Sequence, residues 1–213
     1  MIGFVIKDLL VLRKTVKLYL LILAFYLALT VAGLFDSNMV PGFAVMFTMM
    51  LPISSFAYDE LARWEKYGAS LPAGRRGMVG GKYLLVVLLG AAAVAMIGVA
   101  ALLMTLFSDR AQAGLMLQTG VVLTCAGTLI NCVLLPLLFR FGAEKGRLFM
   151  MGIFVVLFLG GVSVVKLLSA GRLSLPEQLP FPWLMGLAAL AALGLLTYLS
   201  YRISLGIYAK KEL

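Results

Sequence analysis

The chain has 213 residues, of which 63% are hydrophobic and only 13% charged, and its mean hydropathy is +1.07. Roughly 25% of the residues in soluble domains are charged, so this composition excludes a soluble globular fold and indicates an integral membrane protein. The net charge is +9 and there is no histidine. No basic soluble face is available to bind nucleic acid, and the lack of histidine excludes histidine-ligated haem, histidine-bound zinc and histidine-based catalysis.

The first fourteen residues combine apolar and charged side chains in an amphipathic pattern. Ile2, Val5 and Ile6 alternate with Lys7 and Asp8, which is typical of a helix lying in the membrane interface. The sequence therefore predicts an interfacial helix over 1–14. A plain N-terminal extension of the first membrane span is the alternative.

Six uncharged runs follow, each with at least the 18 or so residues that a spanning helix needs. A charge at the centre of a span costs about 2.5–3.5 kcal/mol, so runs of this length without a charge are informative. They predict an all-α membrane protein, organised as a single transmembrane domain over 1–213. The spans cover about 18–35, 37–58, 83–108, 111–139, 148–165 and 178–201.

The distribution of basic residues predicts the orientation. If the chain crosses the membrane six times, the segments 1–17, 59–82, 140–147 and 202–213 lie on the same side. Together they contain 15 of the 18 lysines and arginines. Basic residues concentrate in cytoplasmic loops. Both termini are therefore expected in the cytoplasm.

The segment 59–82 is the longest predicted connection. Spacings of three and four residues predict a short amphipathic helix over Asp59–Leu71, ended by Pro72. Its predicted apolar side comprises Leu61, Trp64, Tyr67 or Gly68, and Leu71. Its predicted polar side comprises Asp59, Arg63, Lys66 and Ser70. The helix is either a solvated connector anchored by Trp64 or a docking element for a cytoplasmic partner.

The residues of this segment resemble the loop after the second span of bacterial ABC-2-type permeases, in particular the small group that includes the exporters of phenol-soluble modulins. The similarity rests on Tyr58-Asp59-Glu60, Trp64-Glu65-Lys66-Tyr67, Ser70-Leu71-Pro72, Arg75 and Lys82-Tyr83. A second similarity is Phe141-Gly142-Ala143-Glu144-Lys145-Gly146-Arg147, which resembles that group's loop between spans four and five.

The resemblance implies a permease half in a bacterial cytoplasmic membrane that pairs with an identical or homologous half and with two cytoplasmic ATPase subunits. By this resemblance, 59–82 is the coupling segment, which contacts the ATPase, and its predicted helix over Asp59–Leu71 is the coupling helix. The implied ATPase contacts are Asp59, Glu60, Arg63, Trp64, Tyr67, Leu71, Pro72 and Arg75, with a secondary contact at Glu144, Lys145 and Arg147. ATP and magnesium would bind the partner subunit, since Arg76–Tyr83 lacks the first glycine and the hydroxyl of a phosphate-binding loop.

Polar and flexible side chains inside the spans are candidates for a transport pathway. Met46, Met49 and Met50 could line an adaptable apolar path, or contact lipid and neighbouring helices. Asn131 is the most polar residue deep in a span, and it either faces a pathway or forms an interhelical hydrogen bond. The expected cargo is an amphipathic peptide or another apolar molecule.

Three other functions are weighed against export. The substrate-binding subunit of a vitamin importer is also small and six-spanning, but that class does not explain the motif within 59–82. An intramembrane enzyme would need histidine or a paired carboxylate cluster, and Asp59 and Glu60 point to different faces of a helix. A non-transport membrane protein that binds a partner is the third alternative.

Overall fold

A computed structural model describes residues 2–36, 39–70, 74–107, 110–169 and 182–210. Within these ranges the chain is helical apart from short turns, and no strand is present. The helices are α1 (Ile2–Val31), α2 (Met39–Leu61), α3 (Trp64–Ser70), α4 (Gly74–Phe107), α5 (Arg110–Ser169) and α6 (Pro182–Ala209).

The first helix is continuous over 30 residues, or about 45 Å at 1.5 Å per residue. A separate interfacial helix over 1–14 is therefore not confirmed, and the alternative of an extension of the first span describes α1 better. The physical reason is that Val5, Asp8 and Leu12 form a stripe that is buried in the protein rather than in headgroups. Leu12 packs in one cluster with Leu51 of α2 and residues of α4.

The segment 59–82 does not form the single predicted helix. Asp59 to Leu61 complete α2, which ends in a turn where Arg63 has a φ of 50°. This left-handed conformation is unfavourable for a helix interior, so α3 starts afresh at Trp64. The following helix begins at Gly74, nine residues before the predicted start of span three. Residues 74–82, predicted to belong to the connection between spans two and three, are therefore the first turns of α4.

The fifth helix is a hairpin with two arms. Gly142 interrupts it with a φ of 85° and a ψ of 178°, a conformation that glycine adopts readily because it lacks a Cβ atom. The rings of Phe141 and Phe149 are 5.2 Å apart, whereas eight residues of straight helix would separate them by about 12 Å. Gly146 likewise packs against the Leu138 side chain. The arm after Gly142 therefore folds back along the arm before it.

Helices α2, α4 and α5 form the centre of the bundle. Within the described residues α1 contacts α2 and α4 but neither α5 nor α6, whereas α6 contacts α4 and α5. Helix α5 approaches its neighbours closely at two glycines. Gly120 faces Ile97 of α4, and Gly127 faces Val45 of α2. Thus α1 and α6 flank the central helices.

Five helical stretches in the described residues are long and apolar enough to cross a membrane. They are Ile2–Val31, Met39–Leu61, Gly74–Leu106, Ala113–Val156 and Leu190–Ala209. The fourth stretch contains the hairpin bend and counts predicted spans four and five together. The six-span count and its boundaries remain a prediction, and the first residues of the range 178–201 lie outside the described part.

We expect Gly127→Ala to lower the thermal stability of the protein in detergent. A Cβ atom there would lie 2.7 Å from Val45 Cγ1, and overpacking of this kind costs about 1–3 kcal/mol. Gly98→Ala is the matched control, because no atom lies within 4 Å of a Cβ at that position. Thermal unfolding followed by intrinsic fluorescence measures both. Equal unfolding temperatures for the two variants would contradict the α2–α5 packing.

Candidate functional site

One end of the bundle brings together segments that are far apart in sequence. The Arg75 guanidinium, at the start of α4, donates to the Ala209 carbonyl at the end of α6, with 2.5 Å between Nη1 and the oxygen. Glu60, near the end of α2, reaches the hairpin bend at Ala143. The beginning of α1 joins them through Asp8. Both ends of the described chain, α3 and the α5 hairpin tip therefore lie at the same end.

Four charged side chains from three helices form a closed network at this end, defined by Lys7, Asp8, Asp59 and Lys82. Lys7 Nζ lies 2.8 Å from Asp8 Oδ1 and 2.5 Å from Asp59 Oδ1. Lys82 Nζ lies 3.1 Å from Asp8 Oδ2 and 2.6 Å from Asp59 Oδ2. Each lysine thus bridges both carboxylates. The network is formally neutral and joins α1, α2 and α4.

The network is shielded from solvent. Asp8, Asp59 and Lys82 are at least nine-tenths buried, and Lys82 also donates to the Ser55 hydroxyl at 2.5 Å. Burying charges is costly unless they are paired and hydrogen-bonded. Here two cations and two anions are paired with one another, although Asp8 Oδ1 has only its ion pair with Lys7 and no hydrogen bond within the described residues. In the described residues no group of three or more histidine, cysteine or acidic side chains could hold a metal ion.

The short helix α3 is attached to the network by its tryptophan. Trp64 packs against a core cluster formed by α2, α4, α5 and α6, and Lys7 Nζ lies 4.9 Å from its ring centroid, a cation–π distance. Gly68, one turn later, is buried against the Met78 side chain of α4. Leu61 and Tyr67 are exposed, at 84% and 61%. The predicted apolar stripe is therefore divided, with Trp64 and Gly68 facing inward.

Glu60 links the end of α2 to the second arm of the α5 hairpin. Its carboxylate accepts a hydrogen bond from the Ala143 backbone N–H at 2.6 Å. Ala143 starts the arm that follows Gly142, and the first N–H groups of a helix lack intrahelical partners. A carboxylate there is stabilising because the helix N-terminus carries a partial positive charge. Glu60 therefore fixes the bend of α5 relative to α2 and α3.

The other sequence-predicted contact residues are distributed over the same end. Asp59 is buried in the charge network, so the prediction that it shares the polar side of an amphipathic helix with Arg63, Lys66 and Ser70 is wrong. Helix α2 continues through Asp59 and turns this side chain inward. Arg75 belongs to α4 and contacts α6. Leu71 and Pro72 lie outside the described residues. Glu144, Lys145 and Arg147 are exposed on the hairpin tip.

The predicted pathway methionines meet in an apolar cavity of about 660 Å³ between α2 and the two arms of α5. Met46, Met49 and Met50 line one side. Met150 and Phe154, from the second arm of α5, line the other. Asn131 does not line it: this side chain is 2% exposed, and its Oδ1 has no hydrogen-bond donor within the described residues.

Sequence reasoning missed Lys7, Asp8, Lys82 and Ser55 as parts of the site. Asp8 gave a usable signal, because it occupies a stripe position between Val5 and Leu12 where an apolar residue is expected. A charge in an apolar stripe indicates a buried partner. Its partners could not be identified from spacing, since Asp59 and Lys82 are 51 and 74 positions away.

Comparison with known proteins gives one family. The family described as ABC-2 family transporter protein matches residues 3–209, nearly the whole chain. No curated protein and no solved structure matches the chain.

We expect Lys82→Met to be more destabilising than the double change Lys82→Met with Asp8→Leu. The single variant leaves two carboxylates facing one lysine, and an uncompensated buried charge costs about 3–5 kcal/mol. The double variant restores neutrality with Lys7 and Asp59. Thermal unfolding in detergent compares the two, with exposed Lys145→Met as the control. A double variant less stable than the single one would contradict a charge-balanced network.

Proposed function

Because this chain belongs to the ABC-2 transporter family, we propose that it is the permease half of an ATP-driven exporter. It pairs with a second permease half, identical or homologous, and with two cytoplasmic ATPase subunits that bind ATP and magnesium. The observation that carries the proposal is the attachment of α3 to three separate helices at one end of the bundle. An element held in this way can transmit a movement of a docked subunit to the spans.

The end that carries α3 is the cytoplasmic end in this proposal. The segments gathered there include 59–82 and 140–147, and they hold exposed basic side chains at Arg63, Lys66 and Lys145. Basic residues are retained on the cytoplasmic side of bacterial membranes. Both chain ends then lie in the cytoplasm, and the hairpin tip with Glu144 and Arg147 provides the secondary ATPase contact.

The outward face of α3 is the primary docking surface, which comprises Arg63, Lys66 and Tyr67 together with Leu61 at the end of α2. These four side chains are exposed, and an aromatic ring beside basic groups is typical of interface hot spots. Trp64 and Glu60 act behind this surface. Trp64 connects it to Lys7 of α1, whereas Glu60 connects it to the second arm of α5.

An amphipathic peptide or another apolar molecule is the proposed cargo. The apolar cavity between α2 and α5 supports this choice, because four methionines line it and methionine side chains adapt to ligands of different shape. A phenol-soluble modulin is the specific case that the sequence motifs favour. Glu60, at the end of α2 and close to α3 in the chain, contacts the arm of α5 that contributes Met150 and Phe154, so a movement transmitted through Glu60 would act on the arm that lines the cavity.

The alternatives have less support. A vitamin importer subunit does not agree with a family match that extends over nearly the whole chain. A non-transport partner-binding protein would use the same exposed face of α3, but it would have no need of the methionine-lined cavity.

Docking is tested with variants of the exposed face. The tagged wild-type chain is first used to co-purify its ATPase from membranes. Tyr67→Ala should then reduce recovery of that ATPase about thirtyfold, because hot-spot truncations cost about 2 kcal/mol or more. Lys66→Glu should reduce recovery as well, by placing an acidic group in the basic face. Recovery is measured at equal membrane abundance.

Two exposed control positions accompany these variants. Leu106→Ala changes the far end of α4, and Lys14→Glu makes the same charge change on α1. Both should retain the ATPase. Full recovery with Tyr67→Ala and Lys66→Glu would show that α3 is a solvated connector. Glu60→Lys is not a clean docking variant, since it also places a cation at the N-terminus of a helix arm.

The cavity is tested separately by filling it. Met46→Trp should lower export of a fluorescent amphipathic peptide from intact cells while leaving ATPase co-purification unchanged. Met39→Trp is the matched control, because Met39 has a similar exposure on the same helix but does not line the cavity. Normal export by Met46→Trp would exclude this cavity from the transport path.

A further inference from the structure

A second cavity, of about 720 Å³, lies between the start of α4 and the end of α6, and its lining residues belong to these two helices and not to α3. Three arginines line it: Arg75, Arg76 and Arg202. Tyr198 and Tyr201 form part of the same wall. The proposed function uses neither the cavity nor its tyrosines.

The described residues that line this cavity include basic side chains but no acidic one. Arg75 is held by the Ala209 carbonyl at the end of α6. Arg76 and Arg202 have no carboxylate within 4.0 Å among the residues that the structure describes, and no acidic side chain from those residues lines the cavity. Arg75 and Arg76 also occupy the first turn of α4, where the helix dipole favours an anion. Arg76, Arg202 and the start of α4 therefore favour an anionic ligand.

The position of the cavity along α6 indicates what carries the anion. Leu195, Tyr198 and Arg202 follow one another at spacings of three and four residues, so they share a face of the helix. Leu195 and Tyr198 are exposed, at 62% and 56%. Arg202 Nη1 lies 3.4 Å from the Tyr198 hydroxyl, to which it donates. Along this face an apolar residue is followed by a tyrosine and then by an arginine. The same order, from hydrocarbon to aromatic belt to basic residues, is found where a helix leaves a membrane.

We propose that this cavity binds the phosphate headgroup of an anionic phospholipid. Guanidinium groups bind phosphate through paired, charge-assisted hydrogen bonds, and Arg76 and Arg202 supply them from two helices. The acyl chains lie along the α6 face that contains Leu195 and Leu199. A bound lipid bridges the start of α4 and the end of α6, alongside the Arg75–Ala209 contact. This site does not depend on the identity of the ATPase or the cargo.

Native mass spectrometry of the purified full-length chain tests the proposal. Phosphatidylglycerol is titrated into the detergent-solubilised protein, and phosphatidylcholine with the same acyl chains is titrated in parallel. The wild type should bind phosphatidylglycerol more tightly. Arg76→Gln with Arg202→Gln should weaken that binding about thirtyfold, since each basic residue near an anionic membrane surface contributes about 1 kcal/mol.

Arg140→Gln with Lys145→Gln is the control, because it removes the same charge from exposed positions at the same end of the bundle but outside the cavity. It should bind phosphatidylglycerol like the wild type. Equal weakening in both double variants would overturn the site in favour of diffuse attraction. Equal binding of the two lipids by the wild type would overturn it even if the arginine variant did not fold. Displacement of phosphatidylglycerol by millimolar inorganic phosphate would assign the cavity to free phosphate.

Discussion

The arrangement of the proposed cytoplasmic end depends on the neutral network of Lys7, Asp8, Asp59 and Lys82. Each of these side chains alone would be costly to bury, and none has enough partners within its own helix. The approach of α1, α2 and α4 gives each of the four an ion-pair partner on another helix. Lys7, which pairs with Asp59, also lies over the Trp64 ring. The position of α3 is therefore fixed by an interaction that also fixes three spans.

Through the charge network and its neighbouring contacts, the short helix α3 is connected to several helices of the bundle. With seven residues, α3 is too short to be stable alone, so it depends on its contacts. Trp64 and Gly68 supply contacts to the core and to α4, and the adjoining Glu60 supplies one to the α5 hairpin. Force on the exposed face of α3 would reach α1 through Lys7 and α5 through Glu60.

The hairpin connects this end to the apolar cavity. Gly142 allows the sharp bend, and Glu60 satisfies the first N–H group of the arm that begins there. That arm carries Met150 and Phe154, which face the methionines of α2 across the cavity. The contact of Glu60 is thus with the arm that carries Met150 and Phe154, whereas α2 packs against the first arm at Gly127, which faces Val45.

The sequence by itself determined the class, the helix content and most of the helix positions, because uncharged runs of sufficient length have few alternatives to membrane helices. The motifs around Trp64 and Phe141 also indicated the family. The tertiary structure decided what spacing could not. Asp59 is buried because partners more than fifty positions before it and more than twenty after it, Lys7 and Lys82, neutralise it there. Leu61 and Trp64 lie on different helices because Arg63, between them, adopts a left-handed conformation that ends one helix and starts the next. Residues 140–147 form a hairpin tip capped by Glu60, since a bend at one glycine and a contact between distant helices leave no periodic signal in the chain.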